Sequence, residues 1–412
     1  MALENFDILL EKYAHLLIKK GINVQKGHTV RLTVDVEQAH FARLLVKTAY
    51  EYGASEVSVQ WVDDIVSKET LIHLPESDLT TIPDYVKQES THFLNKKASR
   101  LVIRSSAPNA FEGVDTLRIA KRQEALNIAL NEQRIATQSN KISWTLGAAS
   151  SPAWAKMIFP HLETEEEQVD ALWDAIFKMN RIYDEDPISS WTKHEALLNE
   201  KAAILNKEQF DALHYTAPGT DLTLGLPKHH IWESAGSTNA QGEVFIANMP
   251  TEEIFTAPDY RRADGYVSST KPLSYAGVVI EGMKFTFKDG QITDVTAEKG
   301  EDTIKQLIEQ QGARSLGEVA LVAHKTPISM SGLTFFNTLF DENASNHLAI
   351  GSAYPSSLEG GVQMTQAELK EAGLNISTTH VDFMIGSEYM DIDGIREDGS
   401  RVPIFRNGEW AI

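Results

Sequence analysis

The stretch Thr29-Val30-Arg31-Leu32-Thr33-Val34-Asp35-Val36, continued through Phe41, Leu44, Leu45, Thr48, Ala49 and Tyr52 to Glu56-Val57-Ser58-Val59-Gln60-Trp61-Val62, decides the fold of the amino-terminal half. Residues 29–36 alternate as a strand does, and the middle residues recur on one helical face that closes at Gly53. Residues 56–62 alternate again. A strand, a helix and a second strand in that order predict a parallel pair joined by a crossover helix. At the first strand-to-helix turn stands Asp35-Val36-Glu37-Gln38, not a glycine-rich phosphate loop, so a dinucleotide fold of the usual kind is not expected.

Outward from this unit, Phe6, Leu9, Leu10, Tyr13, Leu16 and Leu17 predict an amino-terminal helix stopped at Lys19-Lys20-Gly21. Residues 101–103 and 142–146 read as buried strands around the helix-rich residues 115–136. Glu165-Glu166-Glu167 heads an amphipathic helix bearing Val169, Leu172, Trp173, Ile176 and Phe177; acids in a first turn complement the helix dipole, so this charge run is structural. Residues 194–205 predict another helix. After Tyr215-Thr216-Ala217-Pro218-Gly219-Thr220 the chain becomes strand-rich, at residues 221–226, 244–247, 277–282 and 283–287. Asp289-Gly290, Asp398-Gly399 and Asn407-Gly408 are hairpin turns. Helices are expected at residues 303–311 and 366–372, the second opened by the capping box Thr365-Gln366-Ala367-Glu368.

The 412 residues suggest two or three domains at ~150 residues each. Acidic side chains number 58 against 38 basic ones, a formal charge of −20, which argues against a nucleic-acid binder dependent on clustered Lys and Arg. There is no cysteine, so disulfides, thiolate zinc sites and thiol catalysis are excluded. No apolar run approaches the ~18 residues of a membrane span. Met1-Ala2-Leu3-Glu4-Asn5-Phe6-Asp7 lacks the pattern of a signal peptide, and a cytoplasmic protein is expected.

Chemistry concentrates in the second half. In Asn248-Met249-Pro250-Thr251-Glu252-Glu253, two adjacent carboxylates follow a proline at the end of the apolar residues 244–247. Such a pair repels and must be compensated by water or a cation. A solvated acidic turn accounts for it equally well. His380-Val381-Asp382 lies in a strand-like run where residues two apart share a face, although the aspartate could merely orient the histidine. Glu342 and His347 stand five apart, and Glu318 leads an apolar run. Together Glu252, Glu318, Glu342, His347, His380 and Asp382 form an oxygen-and-imidazole inventory suited to zinc, cobalt or manganese. Several carboxylates for two imidazoles suggest two cations. The expected architecture is α/β: an amino-terminal α/β domain, residues 1–217, with a mainly parallel sheet, and a carboxy-terminal α+β, strand-rich metal-binding domain, residues 218–412.

The same residues carry a family resemblance. Residues 248–258, beginning Asn248-Met249-Pro250-Thr251-Glu252-Glu253, resemble the signature of the thermophilic-type metalloaminopeptidases, the family of aminopeptidases T, S and II. Leu316-Gly317-Glu318-Val319, Phe340-Asp341-Glu342-Asn343-Ala344, His347-Leu348-Ala349-Ile350-Gly351-Ser352-Ala353-Tyr354 and His380-Val381-Asp382-Phe383 continue it in the family's order. The resemblance implies an exopeptidase that removes amino-terminal residues, commonly apolar ones, from peptides with a free amino terminus. It implies two divalent ions, zinc or cobalt, with manganese or magnesium as alternatives. It further implies a homodimer whose active sites open into a secluded cavity. By position Glu252, Glu318, Glu342, His347, His380 and Asp382 fall on metal-ligand positions and Tyr354 lies at the site, the choice between Glu252 and Glu253 being open. On that reading Glu252 and Glu318 help bridge the ions, Glu253 is the general base and Tyr354 hydrogen-bonds the oxyanion. The rival readings are another binuclear hydrolase, acting on phosphate esters or acyl-amino acids, and a non-catalytic metal- or peptide-binding protein.

Overall fold

The computed structural model describes residues 3–275 and 278–412. They form two compact units, one of Met1–Lys193 with Gly236–Pro250, the other of His194–Ala235 with Thr251–Ile412.

The first unit is built on four strands in the order Glu56–Val62, Thr29–Asp35, Ser99–Arg104, Trp144–Ala148, all parallel. The expected crossover helix is Ala39–Glu51. The first strand ends at Asp35, whose carboxylate accepts from the Glu37 amide at 2.8 Å and starts a short helical turn. Val30, Leu32 and Val34 are buried. Helix packing is aromatic: Tyr13 stacks on Phe41 at 5.5 Å, and Phe41 meets Trp173 edge-on at 5.9 Å. The hairpin Gly236–Thr238 and Val244–Ile246, from the stretch that the sequence reading assigns to the second domain, belongs to this unit. Trp144–Ala148 is an edge strand with backbone groups to satisfy, and the Leu146 amide donates to the Ala247 carbonyl at 2.8 Å.

The second unit holds an eight-stranded sheet in which Ala212–Ala217, Thr220–Gly225, Ala263–Ser268 and Lys284–Lys288 are successive antiparallel neighbours. Asp289-Gly290 and Asn407-Gly408 sit between paired strands with positive φ at all four residues, as type I′ turns require. The strand expected at residues 277–282 is seen as Val278–Ile280, while Gly277 lies outside the described residues.

A separate antiparallel sheet positions the site. Its strands run His380–Met384, His347–Gly351, Leu316–Val322, Glu253–Thr256. Side chains alternate across it: Ile254, Val319, Leu321, Leu348, Ile350, Val381 and Phe383 enter the hydrophobic core. Phe383 packs at 4.6 Å between ring centroids on Phe285 of the larger sheet. The opposite face carries the candidate ligands.

Gly317 allows the Glu318 strand to pass close to the turn after Gly351. A Cβ there would stand 2.3 Å from the Gly351 carbonyl oxygen and 2.4 Å from that of Ser352. Both are backbone atoms that cannot rotate away. Gly317→Ala is therefore expected to destabilise the protein by about 3 kcal/mol through overpacking. The measurement is the urea midpoint, and an unchanged midpoint would refute this account of the close approach.

Candidate metal centre

Cross-strand register brings the site together. Glu253 pairs with Val322, Phe255 with Ala320, Ala320 with His347, Glu318 with Ala349, Ala349 with Asp382, and Gly351 with His380. Directly opposed residues share a face, so Glu253, Glu318, His347, His380 and Asp382 all project from one side of the sheet. Hydrophobic residues at the alternate positions anchor the other side.

Two clusters result, each with its ligand-type atoms within 4.8 Å of one another: Glu253, Glu318 and His347, and Glu318, His380 and Asp382. His347 Nε2 stands 3.2 Å from Glu253 Oε2 and 3.5 Å from Glu318 Oε1. His380 Nε2 stands 3.8 Å from Glu318 Oε2 and 3.4 Å from Asp382 Oδ1. Glu318 thus turns one oxygen to each imidazole.

The donor set fits metal ions. His347 Nδ1 lies 3.0 Å from the Ser345 carbonyl and His380 Nδ1 lies 2.7 Å from that of Ser352. A carbonyl only accepts, so each Nδ1 carries a proton, and in the neutral ring the Nε2 lone pair is aimed at the carboxylates. His347 Nε2, Glu253 Oε2 and Asp382 Oδ1 are buried and, among the described residues, make no hydrogen bond of good geometry. Polar atoms so buried call for compensating partners, which divalent cations held in the two clusters would supply.

The protein's own charges describe the same demand. Burial raises the pKa of Glu318, outweighing the help of His347 and His380. Burial likewise lifts Glu342 well above the carboxylate range, and Glu253 and Asp382 add to it. For His380 burial acts downward, but Asp382 and Glu318 overcome it and push the imidazole up to about 10. His347 is raised in the same manner by Glu253 and Glu318. Asp382 moves down: burial opposes its charge, and His380 with His347 wins. A cluster that draws protons onto its imidazoles is one that cations can occupy instead.

Glu342 sits on the turn Glu342–Ala344, outside both clusters but coupled to Glu253, Asp382, His347 and Glu318. Tyr354 lies 5.0 Å from the His380 ring and 6.1 Å from Phe255, ring centroid to ring centroid. Burial first, then Glu318 and Asp382, hold its phenol protonated as a donor.

Glu252 and Glu253 separate. Glu253 opens a strand of its own and faces the clusters. Glu252 is buried with its Oε2 3.3 Å from His194 Nε2, and its amide donates to Asn343 Oδ1 at 2.7 Å. His194 Nε2 also lies 2.9 Å from the Thr251 carbonyl. Sequence reasoning does not single out His194 or Asn343; helix 194–205 gives His194 no local mark, and Asn343 is one residue of a polar run. The adjacent His229 and His230 belong to neither cluster: His230 bonds the Pro227 carbonyl at 2.9 Å, whereas His229 is exposed beside Glu359.

The sequence of residues 6–410 matches the family described as thermophilic metalloprotease (M29). The chain is 60% identical over 413 residues to aminopeptidase PepS of Streptococcus thermophilus, with 100% of both chains covered. It is 48% identical to aminopeptidase AmpS of Bacillus subtilis, covering 99% of this chain and 100% of that one. Among solved structures, wild-type AmpT from Thermus thermophilus superposes with a TM-score of 0.93 at 40% identity, covering 99% of this chain and 100% of that chain.

Proposed function

The chain belongs to the thermophilic metalloprotease (M29) family and is a metal-dependent aminopeptidase, and from that premise we propose that it works with two divalent ions, zinc or cobalt. One observation carries the two-ion reading: Glu318 offers a separate oxygen to each of two histidine-carboxylate clusters. Glu253 with His347 would hold one ion, His380 with Asp382 the other, and Glu318 would reach both. When bound, such a pair acidifies water and polarises the scissile carbonyl.

The remaining work falls to side chains of the protein. The position of Glu253 among the ligand atoms favours it as a ligand, and Glu252, against His194 and Asn343, as a positioning group behind it. A proton leaving the attacking water then needs a carboxylate outside both clusters. Glu342 meets that requirement: it is half-buried and within charge contact of both, so it can take the proton and hand it to the leaving amine. The Tyr354 hydroxyl donates to the oxygen of the tetrahedral intermediate. Apolar Phe255 and the methyl of Ala320 lie on the same face beside the ligands and limit access of bulk water.

Among the described residues no helix is long and apolar enough to cross a membrane. A cytoplasmic homodimer acting on peptides with a free amino terminus completes the proposal, and the unit of His194–Ala235 with Thr251–Ile412, which contains every ligand, is its proposed catalytic domain in place of residues 218–412.

Treatment with EDTA is expected to reduce leucyl-p-nitroanilide hydrolysis by at least ~100-fold, with recovery on adding zinc or cobalt. Hydrolysis that survives complete chelation would sink the metallopeptidase reading. A parallel assay on phosphate monoesters and acyl-amino acids should show no comparable turnover.

A further inference from the structure

Glu233 stands on the catalytic face and has no part in either metal cluster. It pairs antiparallel with Phe255 through an isolated bridge, the Glu233 amide donating to the Phe255 carbonyl at 2.9 Å and the Phe255 amide returning the bond at 3.0 Å. Opposed residues share a face, so Glu233 follows Phe255 to the same side as Glu253 and Glu318. It thereby extends the row of functional side chains one position beyond the edge of the four-stranded sheet.

The Glu233 carboxylate is buried, and its Oε1 has no hydrogen-bond partner among the described residues. Ser356, two residues beyond Tyr354, is the polar neighbour that favours its charged form. Burial of the carboxylate acts against its ionisation. A buried carboxylate oxygen without a donor is costly unless something arrives to meet it. It neighbours Phe255, whose ring lies beside Tyr354 at the rim of the metal cluster.

An aminopeptidase substrate brings a positive charge one carbon from the scissile carbonyl. We propose that Glu233 is a specificity-determining residue whose Oε1 accepts a hydrogen bond from the substrate's α-ammonium group, anchoring the free amino terminus. This rests on the aminopeptidase reading above. It assigns exopeptidase selectivity to a carboxylate of the protein in addition to the metal ligands. The ammonium would supply the missing donor, and its charge would strengthen the bond to the carboxylate. An amino-terminally acylated peptide offers only one uncharged amide N–H in place of the ammonium.

The test compares leucine with 4-methylpentanoate, the same carbon skeleton without the amine, as product inhibitors of the metal-loaded enzyme. Wild type should bind leucine more tightly. Glu233→Gln, nearly isosteric, should weaken leucine about 10- to 100-fold, the range for a charge-assisted hydrogen bond. 4-Methylpentanoate should bind as before. KM for leucyl-p-nitroanilide should rise by a similar factor, with kcat and metal content nearly unchanged, a split that general loosening of the site would not produce. Glu233→Asp should restore part of the preference. A metal-replete Glu233→Gln enzyme with the wild-type inhibitor ratio overturns the assignment. So does a wild-type enzyme that binds 4-methylpentanoate as tightly as leucine, a measurement that needs no variant to fold. Absence of wild-type peptide hydrolysis would instead overturn the aminopeptidase reading on which the assignment rests.

Discussion

Replacing Glu318 by alanine is expected to give a folded protein that retains neither metal and hydrolyses leucyl-p-nitroanilide at least about a thousand-fold more slowly, a loss of roughly 4 kcal/mol in transition-state stabilisation. The expectation follows from its double membership: Oε1 faces His347 and Oε2 faces His380. No other side chain belongs to both clusters among the described residues. Losing His380 or Asp382 weakens one cluster, whereas losing Glu318 weakens both. The backbone should tolerate the change, because the strand is held by pairing of Val319 with Thr256 and Leu348 and by burial of Val319 and Leu321 in the core. Removing a buried carboxylate crowded by Glu253 and Asp382 also relieves repulsion in the metal-free state. The measurement is metal content by elemental analysis together with turnover and unfolding midpoint. If Glu318→Ala binds both ions, the bridging arrangement is wrong.

The second large effect separates three glutamates. Glu253→Gln is expected to lose metal and at least about a thousand-fold in kcat/KM, because an amide oxygen is a poor substitute for an anionic ligand beside His347. Glu342→Gln should keep both ions yet lose kcat by ~100-fold or more, as expected when a proton carrier is removed and binding is left intact. Glu252→Gln should keep metal and lose activity only about 10-fold, since the carboxylate acts through His194 and through the position of its neighbour. The series reads each variant for metal and turnover together. Metal lost in Glu252→Gln but retained in Glu253→Gln would restore the assignment in which Glu252 is the ligand and Glu253 the base.

Much of this arrangement is legible in the chain itself. The alternation of residues 29–36 and 56–62 around an amphipathic helical segment is local, and each period is set by backbone geometry alone, so the parallel β-α-β unit follows from neighbouring residues. The Asp289-Gly290 and Asn407-Gly408 hairpins and the Thr365 capping box are equally local. His380 and Asp382 share a face because they are two apart on one strand, which spacing predicts without knowledge of any partner. The residue types themselves, carboxylates and imidazoles without a thiol, limit the chemistry to hard or borderline cations.

Tertiary structure decided what spacing cannot carry. Which of Glu252 and Glu253 faces the histidine-carboxylate clusters depends on the pairing of Glu253 with Val322, a hydrogen-bonded register between strands far apart in sequence. A shift of one residue would exchange them, because side-chain direction on a strand reverses at every step. Glu233 reaches the ligand-bearing face through a single bridge to Phe255, and His194 reaches Glu252 from a helix. Neither contact leaves a periodic trace. The chain's own pattern named the chemical groups, and the register of four antiparallel strands, fixed by a core on the opposite face, determined which of them meet.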